Sequence, residues 1–310
     1  MPKKLLAAMA LSLLVITSCA ESPEEEEEDD AAGGTPLVVT TFSVLADITE
    51  QIGGELIEVR SITPAGAEVH EYDPTPSDVQ AAADADLIIE NGIGLEEWFE
   101  QFTAHSEAPT VTASEGIATR PITRLPGHPD DPGEGAELPT DPHGWISPAQ
   151  SVIYVDNIEA ALTELSPADA EYFAENADRY REQLHGILED AQQRAAELDD
   201  PVLVSCEGAF GYLADELGLI EHYLWPLNAE NEGTPQQVEA QIRFVQEHGV
   251  EAIFCESTVN DSAQVQVAET TGAELAGPLY VDSLTEADGP APSHLELLEH
   301  TISTILSAHE

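Results

Sequence analysis

The chain has 310 residues, 42% of them apolar, enough for two modest domains with real cores. Nine basic residues face 61 acidic ones, for a net charge of -52, and the lysines are confined to Lys3 and Lys4. A surface this negative repels phosphate and anionic lipid, which excludes nucleic acid as a partner and excludes membrane binding through a basic patch.

The N-terminus has the layout of a signal peptide, residues 1–18. Lys3 and Lys4 open it, and Leu5 to Ile16 form an apolar run too short to span a bilayer stably. Ile16-Thr17-Ser18-Cys19 resembles a lipobox, in which cleavage before Cys19 leaves a lipid on its thiol. An ordinary cleaved signal with a chance cysteine is the other reading. Removing residues 1–18 takes away two lysines and no acid, so the mature chain stands at -54. Residues 19–35 hold seven acids in a row, Glu24 to Asp30, then Ala-Ala-Gly-Gly. Self-repulsion predicts an extended tether there.

From Pro36 onward, short apolar runs alternate with helical patterns. Strands are predicted at Leu37–Thr41, Ile57–Ile62, Leu87–Glu90 and, more weakly, Thr110–Thr112. Between them lie helices over Val44–Ile52, from Thr75-Pro76 through Ala85, and over Leu95–Phe102. Residues 116–142 are rich in Pro, Gly and Asp and read as a loop. Ser147-Pro148-Ala149-Gln150 matches a capping box that opens another helix. In Pro167–Leu198, Phe173, Ala177, Tyr180, Leu184, Ile187, Ala191, Ala195 and Leu198 recur at steps of three and four. That stripe predicts one long helix, able to brace two domains. Further strands are predicted at Val202–Ser205, Tyr223–Pro226, Ala252–Cys255 and Leu275–Val281. Helices alternate with them, one opened by the capping box Thr234-Pro235-Gln236-Gln237.

This alternation argues for parallel sheets flanked by helices. The reading is α/β: an N-terminal lobe over 36–166, a bridging helix over 167–199 and a C-terminal lobe over 200–310. Cys206 and Cys255 each end a short apolar segment, consistent with two buried thiols or with a disulfide between neighbouring strands.

Four polar residues fall just past predicted strands or in the loops that follow: His70, His143, Glu207 and Asp282. In open parallel sheets, ligands bind beyond the carboxyl ends of strands, so a cleft between lobes would gather all four. Taken singly, each has a plainer explanation as a surface, capping or turn residue.

From Leu37 to the C-terminus the chain resembles the metal-binding subunit of ABC transporters for manganese, zinc and iron. The resemblance rests on motifs that run in order along the folded body. They are Val39 to Ile48, Val69-His70-Glu71-Tyr72-Asp73-Pro74, Ala85-Asp86-Leu87-Ile88, Asn91-Gly92, Asp141-Pro142-His143-Gly144-Trp145, Glu207-Gly208-Ala209-Phe210, Glu232-Gly233-Thr234-Pro235 and Asp282-Ser283. It implies two lobes bridged by one long helix, metal ligation by His70, His143, Glu207 and Asp282, and delivery to a membrane permease by a monomer anchored through Cys19.

Zinc-type relatives usually carry a third histidine where this chain has Glu207, and a His-rich loop where this chain has only His128. Two imidazoles with two carboxylates form an oxygen-richer set suited to Mn2+ or Fe2+ as the transported ion, with Zn2+ still accommodated. A zinc carrier of the same family is the nearest rival. A metallohydrolase would need an open coordination position and a base, for which Glu256 is the nearby candidate. A surface adhesin is a third class. The acid excess in the folded body predicts a salt-adapted, halophile-like surface.

Overall fold

The computed structural model describes residues 34–99, 106–125, 127–133, 135–227 and 233–310. The signal peptide, Cys19 and nearly all of the acidic tether lie outside the described residues, as does the end of the helix predicted over Leu95–Phe102.

The chain opens with strand β1 (Leu37–Thr40), helix α1 (Ser43–Gly53), β2 (Glu58–Ser61), α2 (Pro76–Asp84), β3 (Leu87–Glu90) and β4 (Thr110–Thr112). The four strands form one parallel sheet in the order β2-β1-β3-β4. Its register sets Val39 against both Arg60 and Ile88. Thr75 starts α2 as expected: Pro76 follows it and its N–H donates to Asp78 Oδ2 at 2.8 Å. Of the helix predicted over Leu95–Phe102, only residues 95–99 are described. A 3-10 turn, Glu97–Phe99, forms among them.

Helix α3 (Pro148–Leu165) begins where Ser147 Oγ accepts the Gln150 N–H at 2.9 Å. A 3-10 turn at Pro167–Asp169 then leads into α4 (Ala170–Ala195). The long helix is therefore three residues shorter at each end than Pro167–Leu198. Pro167 sits at the first position of the tighter turn. Beyond Ala195 the chain turns ahead of Pro201, with Asp200 at φ +46°. Helix α4 passes Gly186 without a break and spans roughly 39 Å at about 1.5 Å per residue. Of its stripe, Phe173, Ala177, Tyr180, Leu184, Ala191 and Ala195 are buried, while Ile187 and Leu198 are half-buried. Arg181 ties α4 to α3 by pairing with Asp156 at 2.7 Å.

The rest of the chain is β5 (Val202–Glu207), α5 (Gly211–Leu217), β6 (Ile220–Trp225), α6 (Pro235–His248), β7 (Ala252–Glu256), α7 (Ser262–Thr271), β8 (Glu274–Leu279) and α8 (His294–Ser307). The backbone ladder divides into two parallel pairs, β5-β6 and β7-β8. Strands β5 and β7 lie side by side, and a Cys206–Cys255 disulfide joins them with a Cα separation of 4.9 Å. Strands β5 and β6 run longer than expected, because Glu207 still pairs with Trp225. Glu207 is thus the last residue of a strand and does not lie beyond one.

Helix α4 packs against α1 and α3 from the first half and against α5 and α8 from the second. One apolar cluster runs from Val38 and Phe42 through Phe173 and Leu184 to Phe210, Leu279 and Ile305, so residues 35–310 form one compact unit.

Some acids are buried with this core. Burial pushes Glu96, Glu216 and Glu221 up to about 7 and Glu256 up to about 8. Burial also holds His222 and His294 down at about 4. The histidines, bound to fewer protons in the fold, weaken it as pH falls below about 6.5. The acids, bound to more protons in the fold, weaken it as pH rises through about 7. Above pH 6.5 the acids act alone. The metal-free melting temperature is therefore expected to fall by about 5 °C between pH 6.5 and 8.5. Glu96→Gln keeps the oxygen that accepts from Thr41 Oγ1 at 2.9 Å and should flatten that slope. An unchanged slope in scanning calorimetry would remove Glu96 from the account.

Candidate metal centre

The four candidate ligands come together at the carboxyl ends of the strands. His70 lies in the loop after β2. His143 immediately precedes a 3-10 turn, Gly144–Ile146, that leads into α3. Glu207 ends β5, and Asp282 follows β8.

His70 Nε2 is 3.3 Å from His143 Nε2 and 3.4 Å from Glu207 Oε1. His143 Nε2 is 3.7 Å from Glu207 Oε1 and 3.8 Å from Asp282 Oδ1. Around a four-coordinate ion with bonds of about 2.1–2.3 Å, neighbouring donors stand roughly 3.4–3.8 Å apart. His70, His143 and Glu207 therefore form a group of the right size for a first-row divalent cation, and Asp282 joins it through its 3.8 Å approach to His143.

The site is dry. His143, Glu207 and Asp282 are fully buried, and His70 keeps 9% of its side chain exposed. Both Asp282 oxygens are buried, with the Thr258 hydroxyl as a weak compensating partner. A buried carboxylate in that position is costly until a cation arrives. Its pKa is raised well above the usual range, first by burial and then by the neighbouring Glu68 and Glu256 charges. Burial and the adjacent His143 push His70 down to about 3, so at neutral pH its ring is uncharged and fit to ligate.

Residues that the sequence reading did not single out hold these ligands in place. Asp141 Oδ1 accepts both the His143 N–H at 3.0 Å and His143 Nδ1 at 2.8 Å. With its proton on Nδ1, His143 turns a bare Nε2 toward the other ligands. Arg120 sits 3.4 Å from the second Asp141 oxygen, and its Nε is 3.0 Å from Asp215 on α5. The Trp145 indole N–H donates to Val281 O at 2.8 Å, fastening the Asp282 segment to the His143 turn. The Trp98 indole N–H donates to Val69 O at 2.7 Å beside His70. The signal for Asp141 was its place two residues before His143. Trp145 stood in the same motif, but which backbone carbonyl an indole reaches is a tertiary matter.

Two other sequence candidates fall elsewhere or do something else. His128 packs edge-on against the rings of His222 and Tyr223, and its ring lies outside the groups of converging ligand atoms found among the described residues. Glu256 Oε2 accepts the Glu207 N–H at 3.2 Å, so it fixes the backbone of a candidate ligand. The cysteines beside these two acids are disulfide-bonded, which leaves no thiolate for an ion.

The chain is 41% identical to the iron-binding protein YfeA of Yersinia pestis over 271 residues, covering 86% of this chain and 84% of that protein. It is 33% identical to the manganese-binding lipoprotein MntA of Halalkalibacterium halodurans, over 87% of each. Among solved structures, the Mn-bound periplasmic metal binding protein from Candidatus Liberibacter asiaticus superposes with a TM-score of 0.79 at 33% identity. That match covers 89% of this chain and all of the other. The periplasmic zinc binding protein TroA from Treponema pallidum gives 0.78 at 25% identity, covering 89% of this chain and 99% of the other. Residues 38–308 match the ZnuA family, zinc-uptake complex component A, periplasmic, and the chain belongs to that family.

Proposed function

We propose that this protein is an extracytoplasmic lipoprotein that captures a divalent transition metal ion, Mn2+ or Fe2+, through His70, His143, Glu207 and Asp282. It delivers the ion to the membrane permease of an ABC transporter. A lipid on Cys19 would hold the mature protein at the membrane, with residues 19–35 as its tether. Lobes over 36–166 and 200–310, braced by α4, would face each other across the ion, and the protein would act as a monomer. The observation that carries this reading is the convergence of His70, His143 and Glu207 at 3.3–3.7 Å in a buried site, with Asp282 3.8 Å from His143. The family is one of solute-binding components rather than enzymes.

The donor set favours the harder ions. Two carboxylates neutralise a divalent cation and can chelate through both oxygens, raising coordination above four. Relatives named for iron and manganese support the same choice. Zinc is the second reading, favoured by the zinc-binding TroA relative and by the general order of divalent affinities. Metal analysis of protein purified from its native host, without chelator or added metal, decides between them. Mn or Fe near one equivalent is expected. Zinc alone would establish the second reading, and no metal would sink both.

The orienting role of Asp141 gives a sharper check. Asp141→Asn keeps the shape but removes the charge that holds the Nδ1 proton, and should weaken Mn2+ binding by about 10–100-fold in calorimetric titration. An affinity within twofold of the wild type would show that His143 needs no such support.

A further inference from the structure

Two groups of potential ligand atoms overlap at this site and share one residue. His70, His143 and Glu207 form one, and Glu68, His70 and Asp282 form the other, each with its atoms within 4.8 Å of one another. They differ in depth. His143, Glu207 and Asp282 are fully buried, whereas Glu68 and His70 are partly exposed, His70 with 9% of its side chain. Glu68 is held beside the shared ring, because its Oε1 accepts the backbone N–H of His70 at 2.8 Å. At the inner end of the second group, both Asp282 oxygens are buried, with the Thr258 hydroxyl as a weak compensating partner.

We infer that Glu68, His70 and Asp282 form an entry site that receives the hydrated cation at the mouth and passes it inward to His143 and Glu207. This rests on the metal-capture function proposed above. A hydrated divalent ion cannot lose all its water at once, and each departing water needs a replacing oxygen or nitrogen. The half-buried Glu68 carboxylate supplies the first charged oxygen. His70 follows and stays bound as the ion moves, because it belongs to both groups. Asp282 draws the ion down, since the ion offsets the burial of its carboxylate and the neighbouring Glu68 and Glu256 charges. Glu68 is then left behind at the mouth and is a positioning residue for entry and exit, with no place in the final shell.

The kinetics of such a residue are distinctive. A group that stabilises only a stage on the path slows arrival and departure together when it is lost, and changes the equilibrium little. Glu68→Gln suits the purpose, since its side-chain oxygen can still accept the His70 N–H. Binding of Mn2+ can be followed in stopped flow through Trp145, whose ring lies 5.2 Å from that of His143. Both association and dissociation are expected to slow by about tenfold, within the range that local charge exerts on encounter. The dissociation constant should move by less than about threefold, and Glu68→Asp, which keeps the charge, should restore most of the rate. Glu251→Gln, an exposed acid at the start of β7, controls for the loss of one charge from the overall field.

Equal slowing in Glu68→Gln and Glu251→Gln would overturn the inference, as would a Glu68→Asp variant as slow as Glu68→Gln. So would weaker binding caused wholly by faster dissociation, which would place Glu68 in the final shell. A wild-type protein that binds no Mn2+ would overturn the proposed function as well. Wild-type binding with unchanged Glu68→Gln kinetics would overturn the entry site alone.

Discussion

Asp282→Asn is expected to lower Mn2+ affinity by roughly 10²–10³-fold and, in the same protein, to raise the metal-free melting temperature. Apparent binding energies for four-ligand structural zinc sites are about 10–16 kcal/mol, so one ligand accounts for roughly 2.5–4 kcal/mol, or two to three decades. The gain in stability has a separate origin. The Asp282 carboxylate is fully buried and faces the acids Glu68 and Glu256, with the Thr258 hydroxyl as a weak compensating partner. Asparagine has the same shape, carries no charge and has an amide N–H that can donate to those neighbours. Leaving such a group poorly satisfied costs about 1–3 kcal/mol, and relieving it should raise the melting temperature by about 3–8 °C in a body of this size. Added metal should reverse the order. At a thousandfold excess over its dissociation constant, Mn2+ stabilises the wild type by about 4 kcal/mol, and the variant gains far less at the same concentration. Calorimetry with chelator and then with Mn2+ measures both effects. A variant that loses affinity and also melts earlier without metal would show that Asp282 supports the fold as it stands.

A melting temperature that climbs by more than about 10 °C between 0.05 and 2 M salt is expected from the surface. Residues 35–310 hold 53 acids and seven arginines, so the excess belongs mainly to the folded body. Six of the arginines already pair with acids, from Arg60 with Asp78 to Arg243 with Glu239, leaving little internal compensation for the rest. Salt shortens the reach of the repulsion from about 30 Å at 0.01 M to about 3 Å at 1 M. Melting curves of the full mature protein and of a chain lacking residues 19–35 locate the effect. Parallel rises place it in the folded surface, and a rise lost with residues 19–35 places it in the tether. A flat or falling curve in both would end the salt-adaptation argument. Metal association should respond in the opposite sense, since the negative field that strains the fold also draws cations in.

Those two expectations differ in what they needed. The charge excess is a sum over residue types and was legible in full before any coordinates. Much of the architecture was legible too. Apolar steps of three and four from Phe173 to Ala195 marked one helix face, and short apolar runs separated by helices marked parallel strands. Errors gathered at element ends. Strand β5 runs on to Glu207 because Trp225 lies opposite it, and no local pattern announces a partner 18 residues away. The described start of the segment after Leu95 forms a 3-10 turn, Glu97–Phe99. There Glu96 turns inward to take N–H groups from Asn91 and Gly92.

The candidate ligands could be named from the chain only through the resemblance of their motifs to a family. Their meeting could not be read from the chain, since His70 and Asp282 stand 212 positions apart. The same division holds for the cysteines, whose residue types allowed either thiols or a bridge until β5 and β7 were seen side by side. It holds most plainly for Asp141, Glu256 and Glu68. In the sequence they are three acids among 61. Only the fold sets the first against His143 Nδ1, the second against the Glu207 backbone and the third beside His70, because distance and burial, which decide what a carboxylate does, exist only once the chain has closed on itself.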